Sequence, residues 1–439
     1  MASNTSDLTS EAPGAPVSNA PARRYYPPWI FGILYGGTFN GFAAVSLSQL
    51  LPDRGVSLER VAEIVTLILT ASYVSFLVTP LVDCGLPRRV WAGLLAITAA
   101  ICLGCSVPLL NAAGRNGGHG AGSVTLMLVL FFGYLCNQIY TSAIGGMVPN
   151  LVAPQRHGTV SAWMNIAYLA LTGAGGALSV WEIRHLPLSL AMLLVPVPIL
   201  LGAIPLLFLP KETRDPRPVG EAMRQLFHNL SATARKPSYL FALLVFVVPS
   251  ATFALQNLFG GMGADFHAGP EMTNWTVGLL FTAACAIGAA IGGPLSSRID
   301  RRLLFIAPAM LAALGSLVMI FGPHTPWMFA GGLFFYNLMA GINYTATSAL
   351  VFQIVGRDNP LSATQYSVCI AACNLAIAGS VFMDGRGSGH GGANGALAVD
   401  AALSLILGTV VLALIWKFGG GFPKPPASEE ELESVAKAA

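Results

Sequence analysis

The segment PLVDCGLPRR at positions 80–89 has a counterpart, PLSSRIDRR, at positions 294–302, which lies 214 residues further along the chain. A second pair agrees with the first. Arg156 precedes Ser161-Ala162 by the same spacing with which Arg357 precedes Ser362-Ala363, at an offset of 201 residues. The two offsets differ by 13 residues, which matches an extra Gly-rich stretch at 111–122. The sequence is therefore interpreted as two similar halves joined in the same direction.

The composition indicates the class of protein to which this repeat belongs. Charged residues make up only 10% of the 439 residues, against about a quarter in soluble domains. Hydrophobic residues make up 54%, and the mean hydropathy is +0.66. These values exclude an ordinary soluble enzyme, a disordered chain and a disulfide scaffold, and a net charge of +3 is too small to indicate nucleic-acid binding. They are typical of a polytopic membrane protein.

Long apolar segments recur along the whole chain, and each is near the ~20 residues that a helix needs to cross ~30 Å of hydrocarbon. Six lie on each side of a charged central connection. The predicted segments are 28–51, 61–82, 90–110, 124–150, 159–181, 186–209, 238–260, 275–297, 303–322, 326–352, 362–382 and 396–418. The sequence thus predicts an all-α membrane protein with twelve transmembrane helices.

The basic residues predict the orientation of these helices. When alternate connections are assigned to opposite sides, one side holds only Arg54, Arg60, Arg115, Arg184 and Arg386, and the other side holds the remaining 18 of the 23 Lys and Arg residues. An excess of this kind marks the cytoplasmic face. We therefore expect a multi-pass protein of the cytoplasmic (inner) membrane with both termini in the cytoplasm.

The same pattern divides the chain into five parts. We predict a disordered cytoplasmic tail at 1–27, a six-helix bundle at 28–209, a cytoplasmic linker at 210–237, a second six-helix bundle at 238–418 and a second cytoplasmic tail at 419–439. Glycines are dense in the fifth and eighth segments, where Gly173, Gly175, Gly176, Gly288, Gly292 and Gly293 lie. They permit close helix contact, either between the two bundles or within one of them.

The repeated loop resembles the signature between helices 2 and 3 of the major facilitator superfamily, a Gly-x-x-x-Asp-x-x-Gly-Arg-Lys type sequence. The resemblance implies two pseudo-symmetric six-helix bundles and a gate at this loop. A carboxylate there pairs with basic residues and with the dipole of a neighbouring helix, and the pairing breaks during transport. The candidate gating residues are Asp83, Arg88, Arg89, Asp300, Arg301 and Arg302. The alternative is that these residues only set the membrane topology.

Three further segments resemble a narrower group, the muropeptide permeases of the AmpG type with their acetyl-CoA and siderophore transporter relatives. These segments are LPDRGVSL at 51–58, SATQYS at 362–367, and MDGRG at 383–387 followed by a Gly-rich loop. Where muropeptide permeases tend to carry a carboxylate in helix 4, this chain has Asn137-Gln138. The resemblance implies a secondary transporter, and we expect proton-coupled import by alternating access.

In this superfamily the cavity lies between the bundles, so polar residues within helices 1, 4, 5, 7, 10 and 11 are candidates for binding a small-molecule substrate. They are Tyr35, Asn40, Asn137, Gln138, Tyr140, Asn165, Gln256, Asn257, Tyr336, Asn337, Tyr344 and Gln365. Any one of them could instead form a hydrogen bond between helices. None is Lys, Arg or His, which favours a neutral or amphipathic substrate, such as a sugar–peptide or a siderophore-like molecule, over an anion.

Carboxylates that could carry a coupling proton are few. Glu63, in the first turn of helix 2, and Asp400, one turn into helix 12, are the candidates, although Glu63 could simply complement the helix dipole. Facilitated diffusion and lipid transport by the same fold stay open. No nucleophile or paired carboxylates indicate an intramembrane enzyme, and no residue pattern indicates a metal or cofactor. We expect a monomer in the lipid bilayer.

Overall fold

The computed structural model describes residues 26–418, apart from 115–117, 358 and most of 211–236. The described residues form helices and connecting turns, and ten spans are long and apolar enough to cross a membrane. The predicted tails at 1–27 and 419–439 and the linker at 210–237 lie almost wholly outside the described residues. The protein is a multi-pass α-helical membrane protein.

Six spans make up the first half of the chain. They are α1 (Pro28–Arg54), α2 (Glu63–Asp83), α3 (Arg88–Gly114), α4 (Ala121–Leu151), α5 (Pro154–His185) and α6 (Leu188–Phe208). Each agrees with a predicted segment to within a few residues. A polar residue fixes the start of the helix that leads into α2: the Ser57 hydroxyl accepts a hydrogen bond from the Arg60 amide in the first turn of the helix Leu58–Leu69.

The second half is less regular. Its elements are α7 (Pro237–Val247), α8 (Pro270–Arg298), α9 (Arg301–Phe321), α10 (Pro326–Val355), and one span, Ser362–Phe418, that contains two helices. A break at Gly391 and Gly392 divides this span into α11 (362–390) and α12 (393–418). Asp300 caps α9 by accepting a hydrogen bond from the Arg302 amide at 2.8 Å.

The seventh predicted crossing is interrupted. Helix α7 has 11 residues, which extend about 16 Å at ~1.5 Å per residue, and this is too short for the hydrocarbon layer. The chain then leaves the helix, and short helical turns follow at Ala254–Asn257, Phe259–Met262 and Gly263–Phe266. The number of crossings stays a prediction, because it depends on counting α7 and these turns as one crossing.

The expectation of a Gly-rich loop after MDGRG is wrong. Helix α11 continues through residues 383–390, and only Gly391 and Gly392 leave the helical conformation, with φ +58° at Gly392. Glycine favours a loop in water, but the segment contains no proline, and in an apolar medium an intrahelical hydrogen bond is the cheapest partner for each amide. The extension carries Asp384 into the helical core.

Glycines set the closest helix contacts, and most of these contacts lie within one half. Gly176 of α5 packs against Gly41 and Val45 of α1, and its carbonyl accepts a 2.8 Å hydrogen bond from the Ser46 hydroxyl. Gly288 of α8 packs against Leu338 of α10 in the second half. The sequence left open whether these glycines pack within or between the bundles.

Contacts between the halves use fewer of these glycines. Gly293 of α8 faces Gly158 and Ala162 of α5, and Gly173 of α5 is near Thr282 of α8. Four of the six glycines therefore pack within one half, and two join α5 to α8 across the halves, where Gly145 and Gly146 of α4 also pack against α11.

We predict that Gly341→Ala lowers the melting temperature of the purified protein. A Cβ at this position of α10 would press on the Cys285 carbonyl and the Ala289 amide of α8, and overpacking of this kind costs about 1–3 kcal/mol. Thermal unfolding in detergent measures the effect. Gly331→Ala on the same helix is the control, since its Cβ would meet open space. Equal melting temperatures for the two variants would contradict the proposed close contact.

Candidate substrate cavity and gate

A cavity of about 310 Å³ lies between the two halves. It is lined by residues of α1, α2, α4, α5, α7, α9, α10 and α11. Six of the twelve predicted substrate-binding residues line it, namely Tyr35, Asn40, Asn137, Gln138, Asn165 and Tyr344. These six come from both halves, so the structure brings together side chains that are as far apart in sequence as Tyr35 and Tyr344.

The other six predicted residues do not line this cavity. Tyr140 donates to the Leu34 carbonyl at 2.6 Å, Asn337 to the Leu333 carbonyl at 2.8 Å and Asn257 to the Ala254 carbonyl at 3.0 Å. Each is a bond within one half, because a polar side chain buried among helices takes the nearest carbonyl.

The remaining three are bonded to other side chains. Gln365 accepts a hydrogen bond from Asn359, Tyr336 donates to Asp400, and Gln256 accepts from the hydroxyl of Tyr344 at 2.9 Å. Gln256 therefore contacts the cavity residue Tyr344 but does not itself line the cavity. Its amide nitrogen is buried and has no hydrogen-bond partner among the described residues.

The cavity is polar but carries no charge. Within the described residues, its lining contains no Lys, Arg, His, Asp or Glu. The Asn40 side-chain oxygen accepts a 2.9 Å hydrogen bond from Tyr134. Asn165 donates across the halves to Ser348 at 3.2 Å. Amides, phenols and hydroxyls in this arrangement can exchange hydrogen bonds with a neutral solute, and the tyrosine rings can pack against its apolar faces.

Several lining residues were not among the predicted set. Helix α2 contributes Leu69, Ser72 and Tyr73, and the segment after α7 contributes Thr252. The polar run Ser72-Tyr73 within an apolar helix is a signal that could have indicated α2. Nothing local indicates Thr252, since its position depends on the break that follows α7.

The halves meet on one side of the cavity. The Tyr35 and Tyr366 hydroxyls are 3.0 Å apart, Thr79 donates to the Ser367 hydroxyl at 3.1 Å, and Ser161 donates to the Thr345 carbonyl at 2.6 Å. Further hydrogen bonds between the halves follow toward the end where α2, α4, α8 and α10 finish. We call this the basic end, because 18 of the 23 Lys and Arg residues were assigned to it.

Asp83 is the centre of the contact at the basic end. Its buried carboxylate pairs with Arg88 at 2.9 Å. It also accepts hydrogen bonds from the Thr364 amide at 2.8 Å, the Thr364 hydroxyl at 2.7 Å and the Ala363 amide at 3.3 Å. A carboxylate of the first half thus caps the N-terminus of α11 in the second, where the helix dipole favours negative charge.

Arg88 extends this contact by donating to the Asn359 and Pro360 carbonyls at 3.2 and 3.0 Å. Two arginines of the second half bind carbonyls of the first half. Arg301 donates to the Pro154 carbonyl at 3.1 Å, and Arg357 donates to the Pro149 carbonyl at 3.2 Å. Arg357 was not predicted as a gating residue, although it belongs to the second repeated pair.

The other predicted gating residues have contacts within their own half. Asp300 and Arg302 pair with each other at 3.0 Å at the start of α9, and Arg89 donates to the Leu209 carbonyl at the end of α6 at 2.8 Å. At the basic end, Asp83 and Arg88 therefore cross from the first half, and Arg301 and Arg357 cross from the second.

The two predicted proton-coupling residues differ in environment. The side chain of Glu63 is 56% exposed and pairs with Arg60 three residues earlier, so this carboxylate is solvated and outside the cavity. Asp400 is buried in α12, and its Oδ1 accepts a 3.0 Å hydrogen bond from Tyr336. Of the two, only Asp400 is held in a site that excludes water.

Comparison with known proteins agrees with this architecture. The family model of the Major Facilitator Superfamily matches residues 241–438. The human organic anion transporter TETRAN aligns with 88% of this chain and 98% of its own, at 18% identity and a TM-score of 0.65. The fold is that of the major facilitator superfamily.

Other transporters of known structure share this fold. The proton:xylose symporter XylE covers 93% of this chain and 97% of its own, at 12% identity and a TM-score of 0.61. A bacterial homologue of the iron transporter ferroportin covers 88% and 98%, at 15% identity and a TM-score of 0.62. A search of the curated proteins finds no matching sequence. Identities this low show the major facilitator fold and do not show the substrate.

We predict that Asp83→Asn loosens the basic end. The variant loses the charge that pairs with Arg88 and one of the oxygens that cap α11, and charge-assisted hydrogen bonds contribute about 1.5–3 kcal/mol. Hydrogen–deuterium exchange at the Ala363 and Thr364 amides should accelerate by at least about tenfold.

Asp53→Asn is the matched control for this experiment. Asp53 pairs with Arg184 at 2.7 Å in an exposed ion pair that is remote from α11. Its removal should leave exchange at Ala363 and Thr364 unchanged. Equal exchange in Asp83→Asn and the unmodified protein would contradict the capping role of Asp83.

Proposed function

We propose that this protein is a secondary transporter that moves a neutral or amphipathic organic solute by alternating access. The observation that carries the proposal is the uncharged cavity between the two halves, which is lined by amides, phenols and hydroxyls beside apolar side chains, together with the polar contacts that join the halves at the basic end. In the described residues, hydrogen bonds join the halves beside the cavity and at the basic end. If the basic end is cytoplasmic, this conformation is closed to the cytoplasm.

The lining narrows the substrate class. An anion would require a fixed cation, and a metal ion would require several carboxylate, imidazole or thiolate ligands, of which the described lining offers only the thiol of Cys373. The chemistry of TETRAN and of the ferroportin homologue is therefore disfavoured here. Sugars, which XylE and the E. coli fucose:proton symporter transport, offer hydroxyl groups that match amides and phenols.

The size of the cavity adds a second constraint. A volume of about 310 Å³ is at the lower end of the ~300–1,000 Å³ range of ligand pockets. It suits a solute of one or two rings, or the sugar end of a muropeptide or siderophore-like molecule. The resemblance to the AmpG-type group supports the sugar–peptide among these.

The substrate class is tested by thermal shift with purified protein. The probes are a muramyl peptide, D-xylose, L-fucose, a ferric hydroxamate siderophore and acetyl-CoA. We expect stabilisation by a neutral sugar-containing probe, and loss of that shift in Asn137→Ala, because Asn137 lines the cavity. Asn337→Ala is the control: it should lower stability, since Asn337 is bonded within α10, but should retain the shift. Stabilisation by acetyl-CoA alone would contradict the proposal of a neutral substrate.

Proton-coupled import is the energetic mode that we propose, with a monomer in the cytoplasmic membrane as the transporting unit. Proteoliposomes with the internal pH above the external pH should accumulate the labelled sugar or sugar–peptide that gave the thermal shift. Collapse of the gradient with a protonophore should abolish accumulation. Uptake at the same rate and to the same level without a gradient would indicate facilitated diffusion instead.

A further inference from the structure

Asp384 is a buried carboxylate in the part of α11 where a loop was expected. Its exposure is 0%, and among the described residues neither of its carboxylate oxygens has a hydrogen-bond partner. Leaving an ionised carboxylate in this state is among the most costly arrangements in a protein interior. A chain that retains it must neutralise it from outside, with a proton or another cation.

A second buried carboxylate lies beside it. Gly387 of α11 and Gly395 of α12 pack so closely that a Cβ on Gly387 would stand 2.5 Å from the Gly395 carbonyl oxygen. This contact brings the turn before Gly387, which carries Asp384, against the turn after Gly395, which leads to Asp400. Both carboxylates are buried, and these packed turns place them on adjoining helices. Asp384 and Asp400 form what we call the carboxyl pair.

The surroundings assign different roles to the two members. Tyr336 of α10 donates a hydrogen bond to Asp400 Oδ1 at 3.0 Å, which stabilises Asp400 as the ionised member. The rings of Phe253 and Phe259 enclose Tyr336 at 5.2 Å each, so the site is apolar apart from these groups. Asp384 receives no hydrogen bond, and it is therefore the member that carries the proton.

Charged groups elsewhere on the neighbouring elements do not neutralise the pair. Arg386 is stacked 4.5 Å above the Phe382 ring on α11, and Asp265, after α7, accepts a 2.6 Å hydrogen bond from the Ala393 amide at the start of α12. His324, before α10, bonds to Asn394 at 3.0 Å. In the part of the chain that the structure describes, neither carboxylate forms an ion pair with any of these groups.

A short polar route leads from the substrate cavity to within one helical turn of Asp384. Thr252 lines the cavity, and its hydroxyl donates to the Ser380 hydroxyl at 2.9 Å. Ser380 lies one helical turn before Asp384 on α11, so the two side chains share a face of the helix. Phe253, which follows Thr252 in the chain, has a left-handed backbone with φ +51°. Its ring packs against both Tyr336 and the cavity residue Tyr344. The broken segment after α7 thus contacts both sites.

We propose that the carboxyl pair Asp384–Asp400 is a proton-binding site that is loaded from the cavity through the Thr252 and Ser380 hydroxyls. A proton from cavity water passes to Ser380 by way of Thr252, each hydroxyl giving up one proton as it accepts another. The transfer from Ser380 to Asp384, one helical turn away, requires a bridging water or a change of side-chain rotamer, because no described residue forms a hydrogen bond with the Asp384 carboxylate. The proton then binds a carboxylate oxygen of Asp384, which becomes a neutral acid. The role of this site in proton coupling rests on the proposed transport function, but protonation of the site can be measured without transport.

Infrared difference spectroscopy of the purified full-length protein across a pH step tests this directly, without substrate. The unmodified protein should show a carboxylic-acid carbonyl band that shifts in deuterium oxide. Asp384→Asn should lose the band, and Tyr336→Phe, which keeps the volume, should shift it by removing the hydrogen bond to Asp400. Asp53→Asn, which alters an exposed carboxylate, should retain the band unshifted.

The route has its own measurement. In Thr252→Val the band should still form but about tenfold more slowly after the pH step, because one hydrogen-bonded link is lost. Formation at the unmodified rate would overturn the loading route. Persistence of the band in Asp384→Asn, or an unshifted band in Tyr336→Phe, would overturn the assignment of the pair.

A sodium site is the competing outcome. If the unmodified protein shows no band, and sodium chloride in place of choline chloride raises its melting temperature but not that of Asp384→Asn, the pair binds sodium and the proton proposal is wrong. A missing band counts against the proton site and not against transport, which is measured separately in proteoliposomes. Failure of uptake with an intact band would count against the transport function and not against the site.

Discussion

The capping of α11 by Asp83 is the interaction on which the contact between the halves at the basic end depends. It places a carboxylate of one half on the N-terminal amides of a helix in the other half. Arg88 then fixes the carboxylate and the carbonyls that precede α11 together. The amides at the start of a helix have no intrahelical partner, so they bind an anion readily and can also release it to water. A contact of this kind is strong when closed and leaves no apolar surface exposed when open.

Helix contacts within the halves and between them use both close packing and hydrogen bonds. Within a half, glycine contacts such as Gly176 against α1 and Gly288 against α10 bring backbones together. Between the halves, Gly158 of α5 packs against Gly293 of α8, and Gly146 of α4 packs against α11. Side-chain hydrogen bonds to carbonyls, as with Arg301 to Pro154 and Arg357 to Pro149, add polar contacts at the basic end. A polar contact can be exchanged for water, whereas dispersion between packed backbones is lost steeply with distance.

Charge is excluded from the cavity but not from the membrane interior. The cavity presents amides, phenols and hydroxyls, while the buried carboxylates Asp384 and Asp400 lie behind it in α11 and α12. This separation leaves the binding surface neutral for the solute. Because Phe253 contacts Tyr336 on one side and Tyr344 on the other, the short segment after α7 is the structural link between the two regions.

The sequence by itself determined the class of protein, the repeat and the polar character of the binding residues. Few charges, long apolar segments and the paired loops at 80–89 and 294–302 are properties of the chain alone, because the cost of placing charge in hydrocarbon acts on each segment separately. Tertiary structure decided which polar residues face the cavity. Asn137 and Asn337 look alike in sequence, but one lines the cavity and the other bonds to its own helix. It also decided that 383–390 is helical and that Asp384 is buried beside Asp400. These outcomes depend on helix rotation and on contacts between residues far apart in sequence, which no local pattern of residues encodes.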